Sequence, residues 1–418
     1  MIPRFEPTAT LAETAAFLAE ALSTRPASGG TVGEFEREFA GALECSHAVF
    51  VPSGRVGLWL VLKALGYPEG SEVVVPAFTY FAIPAMVRYA GLEPVCADVD
   101  PSTYELSPAS VASVLSSKTR AVIPTHLFGR TCDMDGLRRL CEPRGVDLIE
   151  DCAQACGAVT AGGKAGSLGR AAYFTFGITK NFTTFSGAMA VCHESDVERR
   201  MRDLMEDFVV PRRFRLLKEG VTAVAMRMAT RRALFNLSVA PLLRLGGNDG
   251  PDAVHRAFEE ELRGMDDAAM HALKWRPTEA QARAGLRQLR TLDAKNEARR
   301  RHGEALLGLL CRAGLAGLPE SAEQAGDHIY MSFAVTRDRR FRFAAELRRL
   351  GVDVSPGYMS DCSASEGGAP CPGSTSVAAR ILHLPLYPGL RTRDIERVAA
   401  AVALADGRAL GAGETARI

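Results

Sequence analysis

Lys180 stands in the run YFTFGITKNF, downstream of the acidic step IEDCAQACGA. Gly177 and Gly187 flank it after a short apolar strand, which predicts a tight, partly buried turn rather than a solvated surface amine. Upstream, LIED (Leu148 to Asp151) reads as the end of an apolar strand, so Asp151 projects from a carboxyl edge, where open α/β sheets gather ligands. Gln154 follows on the next turn. A desolvated lysine amine condenses with a carbonyl carbon, and a carboxylate beside a pyridine nitrogen keeps it charged and makes the ring an electron sink. Together these residues point to pyridoxal phosphate (PLP) and amino-group chemistry. Singly they are ordinary: a strand-end Asp often only caps the next helix.

Two further elements could hold the phosphate. In VFVPSGRVGLWLVLKALG a strand (Ala48 to Val51) breaks at Pro52-Ser53-Gly54 and enters a helix whose apolar residues recur through Leu65. Such a turn presents unpaired backbone N–H groups and the positive end of a helix dipole, although many α/β proteins carry one without a ligand. In AYFTF (Ala172 to Phe176) a second short strand offers the Thr175 hydroxyl, a residue type at home in any strand. The stretch EVVVPAFTYFAIPAMVRYAGLEPVCADVD predicts strand, turn, helix and a second strand ending at Asp98 and Asp100. Tyr80 sits at that turn, where it would stack on a pyridine ring or pack in the core.

With these motifs in order, the chain resembles the DegT/DnrJ/EryC1/StrS family, sugar aminotransferases of PLP fold type I. The likeness runs through IPRF, GGTVGEFEREFA, SGRVGLWLVLKALG, VVVPAFTYFA, ADVDPSTYEL, PTHLFGRTCDMDGL, IEDCAQACGA, GSLGRAAYFTFGITKNF, RPTEAQARAGLRQLRTLDAKNEARR and HLPLYPGL, most of the chain outside roughly residues 205 to 265. The resemblance implies Lys180 as the Schiff-base lysine, Asp151 as partner of the pyridine nitrogen, and Gln154 beside the ring's hydroxyl face. It implies Tyr80 as the stacking aromatic, with Ser53, Gly54, Arg55 and Thr175 around the phosphate. It also implies a homodimer with sites built from both subunits, glutamate or glutamine as amino donor, and a nucleotide-linked keto-sugar as acceptor.

The chain departs from the family pattern at four places. Arg55 replaces the Thr of Ser-Gly-Thr, keeping the backbone donors and adding a cation. Phe185-Ser186-Gly187-Ala188 replaces Gly-Glu-Gly-Gly after the lysine, a bulkier and less charged loop. In LKWRPTEAQ, Lys274 stands where relatives carry an Asn reaching the neighbouring subunit's phosphate; lysine can hold phosphate as a point charge. Gly357-Tyr358 replaces His-Tyr at the substrate mouth, so substrate recognition transfers least. These departures leave room for another PLP reaction, condensation or dehydration on a related or lipid-linked substrate, or for a catalytically silent PLP-binding sensor or scaffold. Lys180 itself argues against the family's dehydratases, which carry histidine there.

Alternating strand and helix signals predict an α/β fold with a large, mixed, mostly parallel sheet domain and a small C-terminal α+β domain, which the resemblance identifies with a PLP-dependent transferase of the aspartate aminotransferase-like fold type I. The expected divisions are 1–204 (large PLP-binding domain with N-terminal arm), 205–265 (basic amphipathic helical insert), 266–300 (linking helix of the large domain), 301–410 (small domain) and 411–418 (disordered tail). In the small domain the expected elements are a helix to Leu310, strand DHIYMSFAV, helix FRFAAELRRLG, strand VDVSPGY and helix DIERVAAAVALA. With 50 basic and 49 acidic residues the net charge is +1, no field for nucleic acid, and no nucleic-acid motif is evident. The 10 scattered cysteines, with no leading apolar signal segment, read as reduced thiols of a cytoplasmic protein. Cys152 and Cys156 read as packing rather than metal ligands.

The run from Pro211 to Gly247 carries eight Arg or Lys against one Glu among many aliphatic residues. Such a stretch can lie in a membrane interface with anionic lipid, making the chain peripheral to the membrane. It cannot span one, because arginines interrupt every apolar run. The alternative is a helical hairpin packed on the protein or on a dimer mate.

Overall fold

The computed structural model describes residues 1–23, 30–160, 162–245, 267–318, 328–366 and 369–407. The expected tail and residues 246–265 of the expected insert lie outside them.

Strands form where small and β-branched apolar residues run together, the composition of a sheet covered on both faces. Seven of them make one sheet, in the spatial order His47–Val51, Ala188–Cys192, Ala171–Thr175, Asp147–Asp151, Thr119–Val122, Glu72–Pro76, Glu93–Ala97. Ala188–Cys192 runs antiparallel to both neighbours, pairing Ala188 with Val51 and with Thr175. The other pairings are parallel, which gives the mixed, mostly parallel sheet that the pattern predicts. The register matters for function: Asp151 pairs with Tyr173, so two strand ends open at one edge. One core, with Leu58, Leu60, Val73 and Val75, joins helices Gly54–Leu65 and Ala82–Tyr89 to the sheet. A second, aromatic core of Phe35, Phe39, Phe50, Phe174, Phe176 and Phe182 lies under the lysine turn.

A separate core of Leu306, Leu310, Phe333, Val335, Leu347, Leu382 and Val398 belongs to the C-terminal part. It joins helices Leu292–Arg312, Arg340–Arg349 and Thr392–Ala405 to the antiparallel pair Phe333–Thr336 and Ile381–Leu384. Two expected strands are corrected here. Within DHIYMSFAV only Phe333 onward pairs, since Tyr330 takes a left-handed φ of 45° that breaks the extended run. VDVSPGY makes only the single bridges Ile2↔Val352 and Ser355↔His383, because Pro356 has no N–H to donate and Gly357 turns the chain at φ 86°. The expected linking helix is also corrected: it is Asp267–Leu273, Glu279–Leu289 and Leu292–Arg312, restarted after Pro277 by the Thr278–Gln281 capping box.

The described part of the insert is a helical hairpin, Arg213–Ala229 and Arg232–Leu245. Its first helix packs on Leu11–Ser23 at Gly220, where a Cβ would fall 2.4 Å from Leu18 Cδ2. Arg227 Nη1 donates to the carbonyls of Pro7 (2.7 Å) and Ala9 (3.2 Å). Among the described residues no helix is long and apolar enough to cross a membrane.

Candidate active site

The strand Asp147–Asp151 carries two buried acids on opposite faces, as strand geometry requires of neighbours. Glu150 is an anchor. Its Oε1 accepts from the N–H groups of Leu168 (2.8 Å) and Gly169 (2.6 Å), and its Oε2 from Gly166 N–H (2.8 Å) and His126 Nε2 (2.9 Å). His126 Nδ1 accepts from Cys132 N–H at 3.1 Å, which assigns the ring proton to Nε2. Burial works against the charge, yet His126 and the amides hold the Glu150 carboxyl below its usual range. The ligand atoms of His126, Glu150 and Cys152 lie within 4.8 Å of one another, but carboxylate and imidazole are already saturated by these bonds. Sequence reasoning missed this anchor; the signal was Glu150 inside an apolar strand run and His126 just past the end of another.

Asp151, 3% exposed, faces the other way. Burial raises its carboxyl pKa against the pull of Ala153 N–H (3.0 Å to Oδ1), Tyr173, Lys180 and His126. Lys180 follows the strand Ala171–Thr175 in a turn closed by its N–H to the Gly177 carbonyl at 3.0 Å. Thr8 Oγ1 donates to the Lys180 carbonyl at 2.6 Å, and Asn181 Nδ2 to the Cys156 carbonyl at 2.7 Å, so the turn is pinned from both sides. Burial brings the amine down to about 8, with the Asp151 charge resisting. About a tenth of such an amine is neutral at pH 7, against roughly three in ten thousand for an ordinary lysine.

Tyr358 joins from the C-terminal part, its ring centroid 5.9 Å from Lys180 Nζ. Burial raises its phenol pKa, and the charges of Tyr80 and Asp151 raise it further. The residue is still 37% exposed, so it also borders solvent. His383 stacks on Tyr358 at 6.3 Å and shares a 2.6 Å bond with Ser332 Oγ.

At the far end Ser53 caps the helix Gly54–Leu65, its Oγ accepting from Val56 N–H at 3.4 Å. A Cβ on Gly54 would fall 2.1 Å from Thr175 Cγ2, so only glycine lets this turn touch Thr175. The two elements that the sequence marked separately thus meet. Arg55 is half-buried beside them. Thr175 Oγ1 donates to the Ala153 carbonyl at 3.2 Å, and Gln154 Oε1 accepts from Phe128 N–H at 3.2 Å. Lys274 is not with this group in the single chain: its ammonium lies over the rings of Trp59 (4.7 Å) and Tyr89 (5.8 Å). The altered loop is packed inward, Phe185 stacking on Phe17 at 4.0 Å and Gln281 Nε2 donating to Ser186 Oγ at 2.8 Å.

A half-buried lysine of lowered basicity, a buried carboxylate whose charge resists that lowering, aromatic rings and a helix start packed against Thr175 fit a phosphorylated pyridine aldehyde. The comparisons agree. The sequence profile of the DegT/DnrJ/EryC1/StrS aminotransferase family matches residues 10–403, and the chain belongs to that family. It is a PLP-dependent transaminase of fold type I. The UDP-N-acetyl-3-dehydro-alpha-D-glucosamine 3-aminotransferase of Acidithiobacillus ferrooxidans is 29% identical over 373 residues, 88% of this chain and 86% of that one. The L-glutamine:2-deoxy-scyllo-inosose aminotransferase of Streptomyces fradiae is 34% identical over 284 residues, 67% of this chain and 57% of that one. Among solved structures, DesV of S. venezuelae matches with a TM-score of 0.71 at 29% identity, over 96% of this chain and 98% of that one.

Proposed function

We propose that this sugar-related aminotransferase takes its amino group from glutamate or glutamine and passes it to a nucleotide-linked keto-sugar. The observation that carries the reading is a half-buried lysine whose basicity is lowered by burial against the charge of the buried Asp151, together with the Gly54 turn packed against Thr175. The relatives named for a UDP-sugar and for L-glutamine support the acceptor and donor classes.

PLP, when bound, links to a lysine amine and draws electrons from the substrate α-carbon through its protonated ring nitrogen. Lys180 would supply the amine that holds the cofactor and, when freed by the donor, would serve as the base and acid that moves the proton lost from the donor's α-carbon. Asp151 holds the ring nitrogen's proton, and its burial strengthens that pairing. Tyr80 would be the residue to stack on the ring, and Gln154, fixed by Phe128 N–H, the one to border it. Ser53, Gly54, Arg55 and Thr175 would hold the phosphate, which would require the Thr175 hydroxyl to leave the Ala153 carbonyl. Lys274 reaches the phosphate of a neighbouring subunit in a homodimer.

The acceptor is the part to test. Enzyme converted to the amine form of the cofactor should return to the lysine-linked form with a nucleotide-linked keto-sugar and not with the free keto-sugar. Equal response to both would remove the nucleotide from the proposal.

A further inference from the structure

We infer that the helical hairpin at residues 213–245 docks on an anionic lipid membrane, an interaction that the amino-transfer chemistry does not require. Its inner side is occupied: Leu216, Gly220 and Ala223 are buried, and Phe235, Ala240 and Leu243 form a small core with Met1 and Val239. Its outer side is apolar and open. Ten large hydrophobic residues are exposed among the described residues, and five of them (Phe214, Val221, Leu234, Leu237 and Leu242) lie in the hairpin, with Val209 and Val210 just before it, so the exposure is concentrated rather than scattered. Phe214 is 76% exposed, Val221 60%, Leu237 79% and Leu242 69%.

The same surface is cationic. Helical spacing sets Phe214, Lys218, Val221 and Ala225 along one stripe. Arg212, Arg213, Lys218 and Arg231 are exposed and enter no ion pair among the described residues. Arg215, Arg227 and Arg232, by contrast, are held by Glu219, Glu6 and Asp394. Glu219 is the one acid between Pro211 and Gly247, and it is already paired. A second copy whose two-fold axis ran through this patch would set it against itself, cation on cation. Anionic headgroups offer the opposite charge, with an apolar layer behind them for Phe214, Val221, Leu237 and Leu242. Neither helix is long and apolar enough to cross, so the hairpin lies in the plane of the interface. Beside it a cavity of about 320 Å³, lined mainly by Phe5, Met226, Ala229, Phe235, Val239 and Leu243, carries the apolar surface inward.

The test is centrifugation of the full-length, cofactor-loaded protein with phosphatidylcholine vesicles, with and without phosphatidylserine. The expected result is co-sedimentation only with phosphatidylserine present, weakening roughly tenfold or more as salt rises to about 0.5 M. Arg212→Glu/Arg213→Glu/Lys218→Glu and, separately, Phe214→Ser/Leu237→Ser should lose the binding while keeping donor turnover and the sedimentation coefficient. Absent binding at low salt, binding indifferent to phosphatidylserine, or variants that bind like the parent would each overturn the inference. So would an oligomer that falls apart on Phe214→Ser/Leu237→Ser, which would assign the face to a second copy.

Discussion

At Lys180 two effects oppose each other: burial favours the neutral amine, and the Asp151 charge favours the ammonium. Burial wins, leaving a pKa of about 8 and a lysine that reacts near neutral pH. The reactive species is the deprotonated one, so PLP capture by the apo-protein should speed up with rising pH and level off above about 8. A rate still climbing toward pH 10 in a stopped-flow capture experiment would show an unperturbed lysine. Asp151→Asn should keep PLP bound but cut turnover by orders of magnitude, because an amide cannot hold the ring nitrogen's proton. Near-normal turnover would remove Asp151 from that role. The places of Asp151 and Thr175 at the ends of short apolar strands, and of Lys180 in the turn that follows, were legible because sequence pattern and position in the sheet coincide there. Tyr358 was legible only as a departure from a pattern, since its approach to Lys180 depends on a contact between distant segments.

Elements bring these residues within reach of one another through a few contacts that pattern does not reveal. Gly54 is one: alanine there must displace Thr175, which lies 2.1 Å from the added carbon. Gly54→Ala should therefore weaken PLP affinity by more than tenfold and lower stability by about 1–3 kcal/mol. Titration of the apo-variant with PLP would check it, and an unchanged affinity would separate this turn from the phosphate. The Glu150 anchor is another. Replacing it by glutamine turns an amide against backbone N–H donors, and Glu150→Gln should cost about 3–5 kcal/mol in urea unfolding. A loss under about 1 kcal/mol would show that the strand holds its place without the charge. The sheet's parallel strands were readable from their continuous apolar runs. The small-domain strands were not: single residues such as Tyr330 and Gly357 in left-handed conformations ended them. The break of the linking helix was written in Pro277 and the Thr278–Gln281 box, a local signal outweighed by the helical periodicity on both sides.

Across the whole molecule the N-terminal segment ties the parts together. Ile2 N–H donates to the Gly351 carbonyl at 2.8 Å, Arg4 grips Asp353 through Nε (2.8 Å) and Nη2 (2.7 Å), and Thr8 reaches the Lys180 carbonyl. The arm thus runs from the C-terminal core to the reactive turn, a path that lies in long-range contacts and not in any local pattern. The same holds for the hairpin, whose periodicity was plain but whose packing partner, the helix Leu11–Ser23, was not. What the assembled chain should do can be read in one spectrum. The purified protein with PLP is scanned in the visible range before and after L-glutamate, beside Lys180→Ala. Loss of the lysine-linked cofactor's absorbance, with the amine form appearing in the parent, and no borohydride-fixable cofactor in the variant, is the predicted result. A parent spectrum that ignores both glutamate and glutamine, or a variant that still fixes the cofactor, would contradict it.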